Sequence, residues 1–421
     1  MIGMKQQVFN PYLPSWEYIP DGEPYVFGDR VYVYGSHDSF GAPIFCVKDY
    51  VCWSAPVTDL SDWRYEGVIY RKNQDPSNKL GIRCLYAPDV TQGPDGRYYL
   101  YYAFDFMGEM GVAVCDTPAG KYEFYGHVHF KDGHVWGKKS GEPFPFDPGI
   151  LVDDDKRVYL YSGFATKVQA VASRGRNLTN EGGVVLELEQ DMITIKSGPE
   201  LLFPTKGKKS AFQDHAFFEA SSIRKVYGKY CFVYSSEHNH DLCYAMADSP
   251  KGPFTYGGFQ QAEITSCGLN QGALKGIGSY EARIACNLWS INGTGRYDGK
   301  SPKQKLKDHP YFTQSGKDRE NNGDQYIANM KNGSVAGFKY FEMGEANQIG
   351  ITIQGNAKGT MQVSDKSDFE NICAEIEVSN REKEMHTYKG ALNIPRGKRA
   401  LFFRFQGEGT VDFHSFELME D

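Results

Sequence analysis

From about residue 8 to residue 260 the chain reads as short runs of alternating apolar and polar positions, separated by turns rich in Gly, Pro, Asp and Asn. A period of two places successive side chains on opposite faces of an extended strand, and almost no stretch shows the 3.6-residue spacing of an amphipathic helix. One unit recurs four times within this region: an acidic residue, then, ten to twelve positions later, the tyrosine of a short aromatic strand. The copies are Asp21 ahead of DRVYVYGS with Tyr32, Asp89 ahead of GRYYLYYA with Tyr99, Asp147 ahead of KRVYLYSG with Tyr159, and Glu219 ahead of GKYCFVYS with Tyr230. The acids stand 68, 58 and 72 residues apart. That spacing fits a four-stranded blade with its loops, so the pattern predicts an all-β domain of the β-propeller type. Each blade then opens its inner strand with a carboxylate aimed at the central axis. Carboxylates that converge on one point repel each other, which is tolerated where a function uses them.

Outer-strand features recur in the same order. CDTPAGKYEFYG, from Cys115 to Gly126, resembles ADSPKGPFTYGG, from Ala247 to Gly258, and WSAPVTDLSDWRYEG, from Trp53 to Gly67, holds the same place in the first copy. The recurrence stops at four. A fifth acid-plus-aromatic strand is due near residue 285, where EITSCGLNQGALKGIGSYEARIACNLWS stands instead, so the fifth blade reads as incomplete. Residues 291–322 are polar and rich in Gly, Lys, Asn and Asp, as in a long connection. Alternation resumes from about Asp324 in SVAGFKYFEM, NQIGITIQG, AEIEVS and ALFFRFQGEGTVDFHSFEL, which predicts a separate β-sandwich of the jelly-roll kind. The expected division is a propeller over 1–290, a connection over 291–323 and a sandwich over 324–421.

Composition narrows the functional classes. The chain of 421 residues is 40% hydrophobic and 24% charged, ordinary values for a globular protein. An aromatic share of 14%, with 28 Tyr and 27 Phe, fits β-structure and surfaces that stack on sugar rings. A net charge of −7 without a basic patch argues against a nucleic-acid partner, and the Lys-rich stretch around 300–307 reads as a solvated loop. The N-terminal MIGMKQQVFNPYLPSW lacks the apolar core of a signal peptide and no run approaches a membrane span, so a cytoplasmic protein with no membrane partner is expected. Nine scattered cysteines without a C-x-x-C pair indicate neither a disulfide scaffold nor a zinc site.

The stretches NPYLPSWEYIPDGEPYVFGDRVYVYGSHD (Asn10–Asp38), LYAPDVTQGPDGRYYLYYAF (Leu85–Phe104), FDPGILVDDDKRVYLYSGF (Phe146–Phe164) and FFEASSIRKVYGKYCFVYS (Phe217–Ser235) resemble the successive inner-strand motifs of glycoside hydrolase family 43. That family comprises five-bladed β-propellers acting on plant-wall glycosides. The resemblance spans roughly residues 8–260, and the segment from Asp324 to Glu420 is similar, more weakly, to family 6-type carbohydrate-binding modules. It implies an oligosaccharide substrate containing xylose or arabinose. It also implies Asp21 as general base, Glu219 as general acid, and Asp89, in the APD motif, as a third carboxylate that holds the acid's pKa up. Asp147 is implied to be structural or pocket-lining. No cofactor is implied as required. Members commonly place a calcium ion or a water beside the histidine of a His-Gly pair in the central channel, so the resemblance leaves a structural calcium open, although no such pair follows the fourth repeat here.

The chemistry explains why two such groups are needed. Breaking a glycosidic bond takes a proton for the departing oxygen and a water activated on the opposite face of the sugar, which one protonated and one ionised carboxyl can provide. Each acid also has a plainer reading, since Asp in a Pro/Gly turn is often a turn former. His215, four residues before Glu219, either faces the pocket or is a hydrogen-bonded structural histidine. Trp16 and Tyr18 either stack on a sugar ring or pack at a rim. Asp153, Asp154 and Asp155 read as a solvated hairpin turn rather than a calcium loop. Two other functions compete with the glycosidase: a non-catalytic sugar-binding protein that has lost part of a blade, and a glycosidase of another propeller family.

Overall fold

The tyrosine-rich repeats fold as four antiparallel four-stranded blades in a computed structural model that describes residues 10–14, 16–104, 108–166, 173–204, 212–238, 240–259, 264–268, 272–294, 307–316, 324–381 and 384–420. The first blade runs Glu23–Phe27, Arg30–Tyr34, Tyr50–Pro56 and Arg64–Tyr70, and the second Asp89–Gln92, Tyr98–Ala103, Met110–Cys115 and Glu123–His127. The third runs Gly149–Val152, Val158–Ser162, Gly182–Leu188 and Thr194–Pro204, with the short His129–Phe130 added in parallel at its outer edge. Phe217–Val226, Lys229–Ser236, Leu242–Ala247 and Thr255–Phe259 form the fourth. Tight turns set the registers. In the fourth blade Val226 faces Lys229 across Tyr227-Gly228, both left-handed at φ 49° and 76°, the geometry of a hairpin turn whose twist matches its strands.

The aromatic repeat has a physical reason. Buried tyrosine supplies a large apolar body, but its hydroxyl must find a partner. Tyr34, Tyr101 and Tyr161 occupy the same place on the second strands of the first three blades. Tyr34 donates to the Pro118 carbonyl at 2.7 Å, Tyr101 to the Met192 carbonyl, and Tyr161 to the Pro250 carbonyl at 2.5 Å. Each acceptor lies in the turn between the third and fourth strands of the next blade. In the fourth blade the repeat tyrosine shifts by one: Tyr230 matches Tyr98 rather than Tyr99, which puts Cys231 where Tyr99 stands and Val233 at the position of Tyr101, and both are only half-buried. No tyrosine hydroxyl there calls for the carbonyl of a following blade. Among the described residues no fifth four-stranded sheet follows, in keeping with the incomplete fifth blade read from the sequence.

The chain separates into two compact units: residues 18–58 and 62–261 form one, and residues 262–421, with the stretch up to Glu17 and residues 59–61, form the other. The second unit is a β-sandwich of two six-stranded sheets. In one, Leu274–Lys275, Val335–Met343, Gly397–Gly409, Ala357–Ser364 and Ile372–Asn380 follow in order, with Asn287–Trp289 beside Val335–Met343. In the other the order is Tyr311–Gln314, Gln325–Met330, Val411–Met419, Gln348–Gln354 and His386–Ala391, with Gly278–Glu281 against Val411–Met419. Phe338, Phe403, Phe413 and Phe416 interlock at the centre of its core.

Two expected boundaries move. Residues 274–289, assigned from sequence to the propeller, pair with sandwich strands. Tyr311–Gln314, assigned to the connection, is a sandwich strand as well. These strands are two to four residues long, too short for their alternation to be read. Most of the Lys-rich stretch and of the expected connection lies outside the described residues. All nine cysteines are free thiols. No helix among the described residues is long and apolar enough to cross a membrane.

Candidate active site

Two acids precede their inner strands by two residues: Asp21 stands before Glu23–Phe27 and Asp147 before Gly149–Val152. Both adopt left-handed backbone angles, φ 56° and 41°, which aspartate tolerates better than most side chains. Glu219 lies instead inside Phe217–Val226, between two register shifts that bulge the strand around it, and Ala220 takes φ 61°. A bulge of this kind re-aims a side chain away from the regular alternation. Left-handed backbone at Asp21 and Asp147, and at Ala220 beside Glu219, is the pattern expected where geometry serves a site.

Asp21 accepts a hydrogen bond from the Ser36 hydroxyl at 2.6 Å. The close approach depends on Gly35, where a Cβ would come within 2.4 Å of Ile19 Cγ2 and 2.7 Å of the Pro20 carbonyl. Although Asp21 stays exposed, surrounding protein displaces enough bulk water to raise its pKa; the Ser36 bond opposes the rise, and Asp38 adds to it. Glu219 is half-buried, and its carboxyl is pushed up to about 7, first by desolvation and then by the Asp21 charge. Asp147 is buried and raised well above the carboxylate range by desolvation, then by Glu219 and Asp21. Its Oδ2 accepts the Ala220 N–H at 3.1 Å, while its Oδ1 is buried without a hydrogen-bond partner. Three carboxyls from three blades thus act on one another electrostatically. Asp21 is the one that ionises most readily, while Glu219 and Asp147 hold their protons near neutral pH.

An aromatic wall runs beside this group. Phe146 stacks on Phe164 at 4.3 Å, Phe164 meets Phe218 edge-on at 5.6 Å, Tyr86 tilts against Phe146 at 5.4 Å, and Phe218 meets His240 edge-on at 4.7 Å. His240 Nδ1 lies 3.9 Å from Glu219 Oε1. The sequence reading missed Ser36, His240 and most of this wall. Phe218 and Phe146 had a signal, as neighbours of Glu219 and Asp147.

Asp89 departs from its expected role. Its carboxylate is fully buried, with Oδ1 accepting from the Tyr25 hydroxyl at 2.6 Å and the Val90 N–H at 2.8 Å, and Oδ2 from the Ile150 N–H at 2.7 Å. Its charged neighbours are Glu23 and Arg224, which pair at 2.6 Å, rather than Glu219. Asp89 therefore ties the inner strands of three blades together, and the third carboxyl beside the pair is Asp147. Burial, reinforced by Glu23 and partly offset by Arg224, raises Asp89 to about 7. A folded-state pKa above the unfolded value of about 3.9 contributes stability that is full below pH 4 and lost as pH rises through about 7. Asp89→Asn is expected to lower unfolding stability by about 1–3 kcal/mol, because an amide cannot accept all three donors. Urea unfolding at several pH values checks this, and the variant should also lose the slope between pH 4 and 7.

His215 and Trp16 were candidates either to line the pocket or to serve structure. The His215 ring stacks on Tyr256 of the fourth blade's outer strand at 4.9 Å and 9°. Trp16 is half-buried and falls in the other compact unit. Asp153 and Asp154 both receive Lys225 Nζ at 2.8 Å, so those two acids are engaged by a lysine, as a hairpin turn allows.

Blades that bring interacting carboxyls together are the arrangement of a propeller glycosidase. The sequence matches the family profile described as glycosyl hydrolases family 43 over residues 18–255. It is 40% identical over 490 aligned positions to a xylosidase/arabinosidase of Thermoclostridium stercorarium, covering 99% of this chain and all of that one. A xylosidase/arabinosidase of Bacteroides ovatus is 30% identical over 273 residues, 59% of this chain and 79% of the relative. The chain belongs to glycosyl hydrolase family 43. A solved family 43 arabinoxylan arabinofuranohydrolase from Bacillus subtilis is similar over 98% of this chain and 97% of its own, at 17% identity and a TM-score of 0.47. The 490-position alignment exceeds the 421 residues of this chain by 69, so at least that many positions of the Thermoclostridium protein have no counterpart here. That excess is of the order of the 58- to 72-residue repeat spacing.

Proposed function

We propose that this enzyme hydrolyses xylose- or arabinose-containing oligosaccharides with inversion at the anomeric carbon. Asp21 takes a proton from the attacking water as the new C–O bond forms. Glu219 gives its proton to the glycosidic oxygen as the old bond breaks, leaving the two carboxyls to exchange protons with solvent before the next cycle. One arrangement carries the reading: Asp21 of the first blade lies close enough to Glu219 of the fourth for its charge to add to the desolvation that pushes the Glu219 carboxyl up to about 7. The names of the two xylosidase/arabinosidase relatives support the substrate class.

Asp147 takes the third role. While Asp21 is charged, ionising Asp147 and ionising Glu219 oppose each other, so the site retains protons on both. The phenylalanine wall offers stacking area for the ring. Incubation with aryl β-xylosides, aryl α-arabinofuranosides and arabinoxylan oligosaccharides, followed by NMR of the first product, tests the proposal. Release of the pentose as the inverted anomer is expected. A folded protein that releases no sugar, or releases the retained anomer, overturns it.

A further inference from the structure

The fourth blade carries a second constellation of polar side chains that the proposed hydrolysis does not use. His215 ends a single helical turn, Gln213–His215, just before the strand that bears Glu219. His238 and Asp241 lie in the turn joining Lys229–Ser236 to Leu242–Ala247. One ligand atom from each of the three can be chosen so that all lie within 4.8 Å of one another, and His238 Nδ1 is 3.0 Å from Asp241 Oδ2.

Backbone contacts hold both contributors in place. The Tyr234 hydroxyl donates to the His215 carbonyl at 2.7 Å, and Glu237 N–H donates to the Ala216 carbonyl at 2.8 Å. The turn closes on itself, with Asp241 N–H bonded to the His238 carbonyl at 3.1 Å and Ser236 N–H to the Asp241 carbonyl at 3.0 Å. The His215 ring is fixed by its stack on Tyr256, lies 5.6 Å from Phe259 and meets His238 edge-on at 6.0 Å. Its Nδ1 is buried with no hydrogen-bond partner. Leaving such a group unsatisfied is costly in a native structure and calls for an explanation.

We propose that His215, His238 and Asp241 form a binding site for a divalent transition-metal ion of the zinc type, with water in the remaining position. Two imidazoles and one carboxylate are a donor set that zinc accepts at about 2.0–2.2 Å. Calcium takes about six to eight oxygen ligands, so the calcium associated with other family members does not fit this set. A bound ion cross-links the start of the Glu219 strand to the turn that carries His240, and so fixes the chain on both sides of the acid.

Full-length protein without an affinity tag is stripped with chelator, dialysed and titrated with zinc chloride by calorimetry, and its metal content is measured by mass spectrometry. Binding of one zinc per chain is expected, with no heat from calcium chloride. That binding should disappear in His238→Ala and in Asp241→Ala. The His238 side chain is exposed and that of Asp241 half-buried, and circular dichroism checks that both variants fold. Wild-type protein that holds no more zinc than His238→Ala overturns the proposal. Because binding is read directly, the result stands apart from whether the chain hydrolyses any glycoside.

Discussion

Glu219→Gln is expected to slow hydrolysis of an unactivated xylo- or arabino-oligosaccharide by about 10²–10⁴-fold, the usual contribution of a general acid. The same variant should lose much less on an aryl glycoside with an acidic phenol, because that leaving group departs without a proton. The pH profile gives an independent check. Desolvation and the Asp21 charge hold the Glu219 proton to about pH 7, so wild-type kcat/KM on the oligosaccharide falls as pH rises through about 7. Glutamine has no proton to lose there, and the fall should be absent from the variant's profile. Equal losses on the two substrates, or an unchanged alkaline limb, would remove Glu219 from the acid's role.

Much of this architecture is legible in the sequence. Alternation and turn residues located the four blades, because a half-buried strand must alternate and a hairpin needs left-handed turn residues. Which acid does what was only partly legible. Asp89 and Asp147 head equivalent repeats and look alike in a motif, yet Asp89 is the first residue of its strand while Asp147 stands two residues ahead of its own. Asp21 also stands two ahead, so the offset from the strand's start sorts Asp21 and Asp147 from Asp89. Recognising it needs strand boundaries that pattern reading does not resolve. His240 left no trace in the sequence, since it reaches Glu219 only through the turn after the fourth blade's second strand.

The repeat also shows how the protein differs from a relative that aligns along its whole length. Tyrosine hydroxyls bridge the first blade to the second, the second to the third, and the third to the fourth. The fourth blade presents Val233 and Cys231 at the matching positions. A chain lacking at least 69 positions of the Thermoclostridium protein therefore also lacks the polar demand that a following blade would meet. All three carboxyls of the proposed site lie before or within strands of the first, third and fourth blades, so none depends on a fifth for its place in the sequence.

Asp21→Asn is the second large effect expected, again about 10²–10⁴-fold, but with a different signature. A general base activates water whatever the leaving group, so the oligosaccharide and the activated aryl glycoside should lose activity to the same extent. The electrostatics predict a second consequence. Ionised Asp21 is one of the two causes that raise Glu219, and desolvation, the larger, survives the substitution. Removing the negative charge makes the Glu219 carboxylate easier to form, so its pKa should drop below about 7 while staying above that of a solvated glutamate, near 4.3. Carbon NMR of the Glu219 side-chain carboxyl, titrated in the wild type and in Asp21→Asn, reads that shift without relying on turnover. A Glu219 pKa that does not move would mean the two acids do not share a field. A variant that loses activity only on the oligosaccharide would mean Asp21 serves the leaving group rather than the water.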